Sequence, residues 1–241
     1  MNDDTFARLT PAQWARLRLR RTANQAHRLA MINKKGGSGK TTTTISLAAA
    51  FAAWGARVRI TDGDPQAASS TYWLPPQRPA GWPTLLDVFE GEHDLAGVVA
   101  PTTIEGVSIV PSLSSLARVD IERPPGTETL LRSEYAAADD VDLDLLDAPP
   151  SMATVTVALL AAATDIMLTM KASTMDFVGI AEIRGPLELV RKRLNPEMRM
   201  TAVTLVDTDG ATLISRKLQA QIATDYPDAV LNSIQIGRAH V

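Results

Sequence analysis

The segment Lys34–Thr42 (KKGGSGKTT) follows directly on the apolar run Leu29–Ile32, and it constrains the chain more than any other feature. Gly36, Gly37 and Gly39 leave the backbone free to curl around Ser38, so that several N–H groups can converge on a phosphate chain. Lys40 adds a point charge for the β- and γ-phosphates of a nucleotide, and the Thr41 hydroxyl is placed to hold Mg²⁺. An apolar strand leads in and a helix leads out from Thr42. The phosphates would therefore sit at a helix N-terminus, where exposed N–H groups and the helix dipole favour negative charge. This strand–loop–helix context separates a nucleotide-binding loop from an ordinary Gly/Lys-rich turn.

The remainder of the chain has the rhythm that such a loop requires. Candidate strands fall at Leu29–Ile32, Val58–Asp62, Val107–Val110, Leu143–Asp147, Ile166–Met170, Ala202–Val206 and Val230–Ile234, with helical stretches between them. That alternation predicts an α/β fold: a mostly parallel, twisted sheet with helices on both faces. The helix from Thr42 to Trp54 should end at Gly55 in a left-handed cap. Arg184-Gly185-Pro186 should end or kink the helix that begins near Met175. Residues 74–83 (LPPQRPAGWP) read as a surface loop. With 45% hydrophobic residues the chain is too apolar to be disordered, and no apolar run is long enough to span a bilayer. It has no cysteine, which excludes disulfides and thiolate metal sites. The acidic start MNDDTF lacks a signal-peptide layout, so a cytoplasmic location is expected.

The loop departs from the GxxxxGK[ST] pattern in one respect: Lys34 stands where glycine is expected, and Lys35 follows it. In this the chain resembles the ParA/MinD family of deviant Walker A ATPases, which are P-loop NTPases of the SIMIBI type. The resemblance implies that Lys35 reaches across a nucleotide-sandwich dimer to the partner's phosphates. Two further segments match the family. Arg57–Asp62 is followed by Gly63-Asp64-Pro65-Gln66, similar to the DxDPQ switch of ParA proteins, and Val141–Asp147 runs into Asp147-Ala148-Pro149-Pro150-Ser151, similar to the family's DxPPS strand end. By that resemblance Asp62 and Asp147 act through the water shell of Mg²⁺, Thr41 binds it directly, and Asp64 orients the attacking water. Lys35, Lys40 and Asp64 are then the catalytic group, with Lys35 to Thr42 holding ATP. Carboxylates suit this work, because phosphoryl transfer depends mainly on positioning and charge stabilisation. The likeness runs from about Arg28 to Ile234, with Leu187–Pro196 and Met200–Asp207 matching a family helix and the strand near the adenine.

Two segments fall outside the domain assigned to residues 28–235. Residues 1–27 read as a basic helical extension, with Thr10 and Pro11 starting a helix over Ala12–His27. Arg16, Arg18, Arg20, Arg21 and Arg28 concentrate charge there in a chain whose formal net charge is −3. Both a DNA- or partner-contacting arm and a solvated helix docked through Trp14 and Leu17 fit that pattern. At the other end, Ile236-Gly237-Arg238-Ala239-His240-Val241 is what a common sequencing adapter encodes in one frame. It is read as a non-native tail, with the family's final helix missing.

The resemblance thus implies a ParA-like ATPase, cytoplasmic and nucleoid-associated. It would dimerise on ATP, bind DNA without sequence preference and move a plasmid or chromosome under stimulation by a ParB-type centromere-binding partner. Arg216 and Lys217 are the candidate DNA contacts, and no membrane partner is expected. A spatial regulator of another cargo, a P-loop small-molecule kinase or ligase, and a nucleotide-dependent DNA-binding repressor remain alternatives.

Overall fold

A computed structural model describes residues 26–67, 69, 79, 81–138, 140–171, 174–206, 217, 220–224 and 229–234. Strands β1 (His27–Ile32), β2 (Val58–Asp62), β3 (Ala100–Pro101), β4 (Val107–Val110), β5 (Leu143–Asp147), β6 (Asp165–Lys171), β7 (Arg199–Val206) and β8 (Val230–Ile234) form one sheet in the order β3-β4-β2-β5-β1-β6-β7-β8. Every pairing is parallel except the short β3–β4 edge. All seven strands expected from sequence are present. The two-residue β3 was missed because Ala100-Pro101 is too short to show a periodicity.

Alternate residues of each strand feed two cores, as the period-2 geometry of a strand dictates. Leu29, Met31, Val58, Ile60, Leu143 and Leu145 pack with Ala48 and Phe51 of helix α1 (Lys40–Ala53). Ala30, Ile32, Leu146, Ile166 and Leu168 pack on the other face. That face is covered by α2 (Leu85–Phe89), α3 (Ala117–Glu122), α4 (Thr127–Ala137), α5 (Thr154–Ala162) and α6 (Thr174–Arg193). Both faces of the central strands are thus buried and largely apolar, the mark of a parallel sheet covered on both sides, with Arg28, Arg59 and Asp144 as charged exceptions on the second face.

The termini of α1 explain its place. It begins at Lys40, two residues earlier than the sequence indicates. At its other end Gly55 takes a φ of 88°, with Gly55 N–H donating to Ala52 O and Ala56 N–H to Phe51 O. Those two bonds make a Schellman cap, and the left-handed φ accounts for the glycine.

Three expectations need correction. Of the end or kink expected at Arg184-Gly185-Pro186, the end does not occur: Pro186 lies inside α6, and the helix continues to Arg193. The buried side chains of Ile183, Leu187 and Val190 anchor both sides of the proline on the core, so packing outweighs the lost backbone hydrogen bond. His27 belongs to β1 and not to a helix. Arg28 is also a β1 residue, buried, with its guanidinium 5.9 Å from the Tyr135 ring centroid. It therefore contributes nothing to a basic surface. Residues 1–25, residues 74–78 and 80 of the 74–83 stretch, Arg216 and residues 235–241 lie outside the described residues.

Candidate functional site

The loop between β1 and α1 emerges at the C-terminal edge of the sheet, flanked by the ends of β2, β5 and β6. Its shape depends on two left-handed glycines, Gly37 (φ 69°) and Gly39 (φ 86°). Gly39 has a second reason to lack a side chain: a Cβ there would lie 2.9 Å from Cγ2 of Val206, at the end of β7. Asn33, which sequence reasoning passed over, fastens the start of the loop. Its side-chain amide donates to Thr169 O at 2.6 Å, and its Oδ1 accepts from Lys35 N–H at 2.9 Å. Ser38 Oγ lies 3.5 Å from Thr169 Oγ1, a second tie between loop and β6. A polar Thr169 among the apolar residues Ile166–Met170 of β6 was the available clue.

Lys40 is buried and folds back over the loop, donating from Nζ to Lys35 O at 3.4 Å. Burial lowers its pKa, while Asp147 and Asp64 act in the opposite direction. Lys35 and Thr42 are exposed, and Thr41 is half-buried at the second position of α1. Lys34, the residue that departs from the general loop pattern, forms an exposed ion pair with Glu182 of α6 at 3.1 Å. Such a pair contributes little stability.

Beneath the loop stand two carboxylates. Asp62 ends β2 and Asp147 ends β5, directly opposite one another in the parallel register and on the α1 side of the sheet. Both are fully buried. Burial, followed by repulsion from Asp62, pushes the Asp147 carboxyl up to about 7, with the Thr41 and Ser69 hydroxyls and Lys40 acting against the rise. Asp147 Oδ2 accepts a hydrogen bond from Ser69 Oγ at 2.8 Å. Asp147 Oδ1 is buried with no hydrogen-bond partner among the described residues. Nothing in the sequence marked Ser69, one of several small residues in AASST.

The segment after β2 folds over these groups. Gly63 N–H donates to Asp147 O at 2.9 Å, and a Cβ at Gly63 would lie 2.6 Å from Leu159 Cδ1. Asp64 N–H donates to Asp62 Oδ1 at 3.1 Å, and Asp64 Oδ1 accepts from Gln66 N–H at 2.9 Å. Asp64 is thereby half-buried at the mouth of the site. Every site residue expected from the sequence thus lies at this one edge of the sheet.

The donor set fits a nucleotide-bound Mg²⁺. Two adjacent buried carboxylates call for a cation, and one of their oxygens has no protein partner among the described residues. Among the described residues no group of three or more His, Cys, Asp or Glu is gathered for a metal. The pair itself suits Mg²⁺, which usually takes one or two carboxylates and completes its shell with phosphate and water.

Comparison with known proteins agrees with this geometry. The AAA domain model (AAA_31) matches residues 26–200. The chain is 36% identical to the chromosome-partitioning ATPase Soj of Thermus thermophilus over 206 residues, covering 86% of this chain and 79% of Soj. Among solved structures, cobyrinic acid a,c-diamide synthase from Mycobacterium smegmatis with bound ADP and magnesium is similar, with a TM-score of 0.76 and 27% identity over 84% of this chain and 82% of that one. An ATP complex of McdA from Cyanothece shares the fold at a TM-score of 0.80 and 19% identity, over 89% of this chain and 85% of that one. By loop, carboxylate pair and sequence, the chain belongs to the ParA/Soj family of P-loop ATPases.

Proposed function

We propose that this chain is a partitioning ATPase that binds ATP with Mg²⁺, dimerises in the ATP state, binds DNA without sequence preference and hydrolyses slowly until a ParB-type partner stimulates it. The observation that carries this reading is the site's division of labour. The groups suited to hold phosphate and cation, Lys40, Thr41, Asp62 and Asp147, lie inside the fold or at its edge, whereas Lys35 is exposed on the loop's rim. A lysine placed outward can serve a second protomer's phosphates. Gly36 to Thr42 would cradle the ATP phosphates, with Thr41, Asp62 and Asp147 serving Mg²⁺ and its water shell. Bound Mg²⁺ neutralises charge on the phosphates. The half-buried Asp64 carboxylate orients a water for attack.

Light scattering with ATP, run beside a phosphate-release assay, tests dimerisation and chemistry separately. Lys35→Ala should lose the ATP-dependent rise in scattering. Asp64→Ala should keep that rise but release phosphate at least about tenfold more slowly. A positioned acid–base group contributes roughly 10²–10⁴-fold, and the loss here is smaller because the water retains other contacts. Parental behaviour in both variants would exclude the reading.

The likeness to cobyrinic acid a,c-diamide synthase supports a second reading, a P-loop ligase acting on a carboxylic acid. ADP release with DNA and no added small molecule favours the partitioning switch. Release that requires an added carboxylic acid favours the ligase. Lys217, the described member of the expected DNA-contacting pair, is exposed. Among the described residues no helix is long and apolar enough to cross a membrane.

A further inference from the structure

We propose that Ser69 is a positioning residue for the cation that accompanies the nucleotide, acting through Asp147. The proposal rests on the Mg²⁺–nucleotide reading of the site and adds to it a residue outside the phosphate loop and the carboxylate pair. Ser69 is fully buried, and its hydroxyl donates to Asp147 Oδ2 at 2.8 Å. A carboxylate held by one oxygen cannot rotate freely about its terminal torsion, which is otherwise broad and two-fold. Here the held oxygen is Oδ2, and Oδ1 is the buried oxygen with no hydrogen-bond partner among the described residues. Asp147 is also fixed through its main chain, since its carbonyl accepts from Gly63 N–H at 2.9 Å. Gly63 and Ser69 bracket the segment that carries Asp64.

This arrangement gives Ser69 two consequences. It presents Oδ1 in one orientation, so the cation's shell meets a preset acceptor instead of a rotating one. It also ties the Asp64 segment to the end of β5, so that binding of the cation at Asp147 and placement of Asp64 are mechanically linked. Partners of directly ligating groups commonly contribute about 10–100-fold to metal affinity, and the effect is smaller for Asp147, which meets the cation through its water shell.

The test measures how much Mg²⁺ strengthens nucleotide binding. Fluorescent mant-ADP is titrated onto the whole chain by anisotropy, once with Mg²⁺ and once with EDTA, and the ratio of the two dissociation constants is the readout. Ser69→Ala should reduce that ratio by about five- to tenfold. Ser69→Cys, which keeps the side-chain shape with a slightly larger atom but is a weak donor, should reduce it similarly, and it replaces the alanine variant should that one fail to fold. In an Asp147→Asn background, adding Ser69→Ala should change the ratio by less than about twofold, because the two residues act as one unit. A parental ratio in folded Ser69→Ala or Ser69→Cys overturns the role of Ser69 and leaves the Mg²⁺–nucleotide reading standing. Absence of any Mg²⁺ effect in the parent overturns both. Additive losses in the double variant also overturn it, since Ser69 would then act by a route other than Asp147.

Discussion

Strand β5 carries two buried carboxylates three residues apart, and they live in opposite circumstances. Asp144 faces the α4 side, in register with Arg28 of β1 and Arg59 of β2. Arg59 meets it with two prongs, Nε to Oδ1 at 2.6 Å and Nη2 to Oδ2 at 3.2 Å. The same guanidinium reaches Ala138 O and the exposed Asp140, and lies 5.4 Å from the Tyr135 ring centroid. The Tyr135 hydroxyl bonds in turn to Thr61. Asp147 faces the α1 side, at the sheet's opposite edge, with a second carboxylate beside it and one oxygen unpartnered among the described residues. A buried charge that the fold satisfies by itself is structural. One that the fold leaves without a paired counter-charge among the described residues is where we propose that the cation binds.

The sharpest way to break that comparison is to remove Arg59. Loss of one partner leaves Asp144 an uncompensated buried charge, which costs about 3–5 kcal/mol, a large part of a typical stability of roughly 5–15 kcal/mol. Urea unfolding of Arg59→Ala should show that loss, or the variant should fail to fold. A loss under about 1 kcal/mol would mean that water reaches Asp144 and that the network is not the closed unit described.

Much of this was legible in the chain, and the reasons it stopped are physical. The positions of the phosphate loop, of the Gly63–Gln66 segment and of the strand end at Asp147 could be read because each pairs a chemical signature with an apolar strand. The helix through Pro186 could not, since local propensity favours a break there and only tertiary packing of Ile183, Leu187 and Val190 overrides it. Arg28 was read as surface charge because arginine is seldom buried. Its burial depends on Tyr135 of α4, more than a hundred residues away, and a linear reading shows no such contact. Asn33 and Ser69 escaped for the same reason: hydrogen bonds to β6 and to Asp147 give them their place, and neither partner is near in sequence.

Asp147 should respond in the opposite sense to Arg59. Asp147→Asn removes a like charge from beside Asp62, so the nucleotide-free chain should be stabilised at pH 8 by at least about 1 kcal/mol, since each pKa unit of the Asp147 rise corresponds to about 1.4 kcal/mol. The pH dependence sharpens this. The folded pKa values of Asp147, about 7, and Asp144, about 6, lie above the ordinary carboxylate value. Stability from a raised pKa is fully present below about pH 4 and is lost as pH rises through the folded pKa. The gap between Asp147→Asn and its parent should therefore open from about pH 4 and level off above about pH 7, while the Asp144 contribution is common to both. A gap constant across that range would show that Asp147 does not titrate with folding.

The smallest effect belongs to the turn that joins the switch to Ser69. Ala67 is buried and takes a φ of 52°, with its N–H donating to Asp64 O at 2.7 Å. A left-handed backbone costs a residue with a Cβ about 1–2 kcal/mol, and glycine escapes that cost. Glycine also has more freedom to lose on folding, about 0.4–1 kcal/mol relative to alanine, so most of the relief is offset. Ala67→Gly should therefore raise stability by no more than about 1 kcal/mol, read as a small upward shift of the urea midpoint at constant slope. A destabilisation larger than about 1 kcal/mol would show that packing of the Ala67 methyl group, and not relief of backbone strain, decides the balance at this turn. In that case the switch segment would resemble the satisfied Asp144 side of the comparison more than the strained side to which its backbone assigns it.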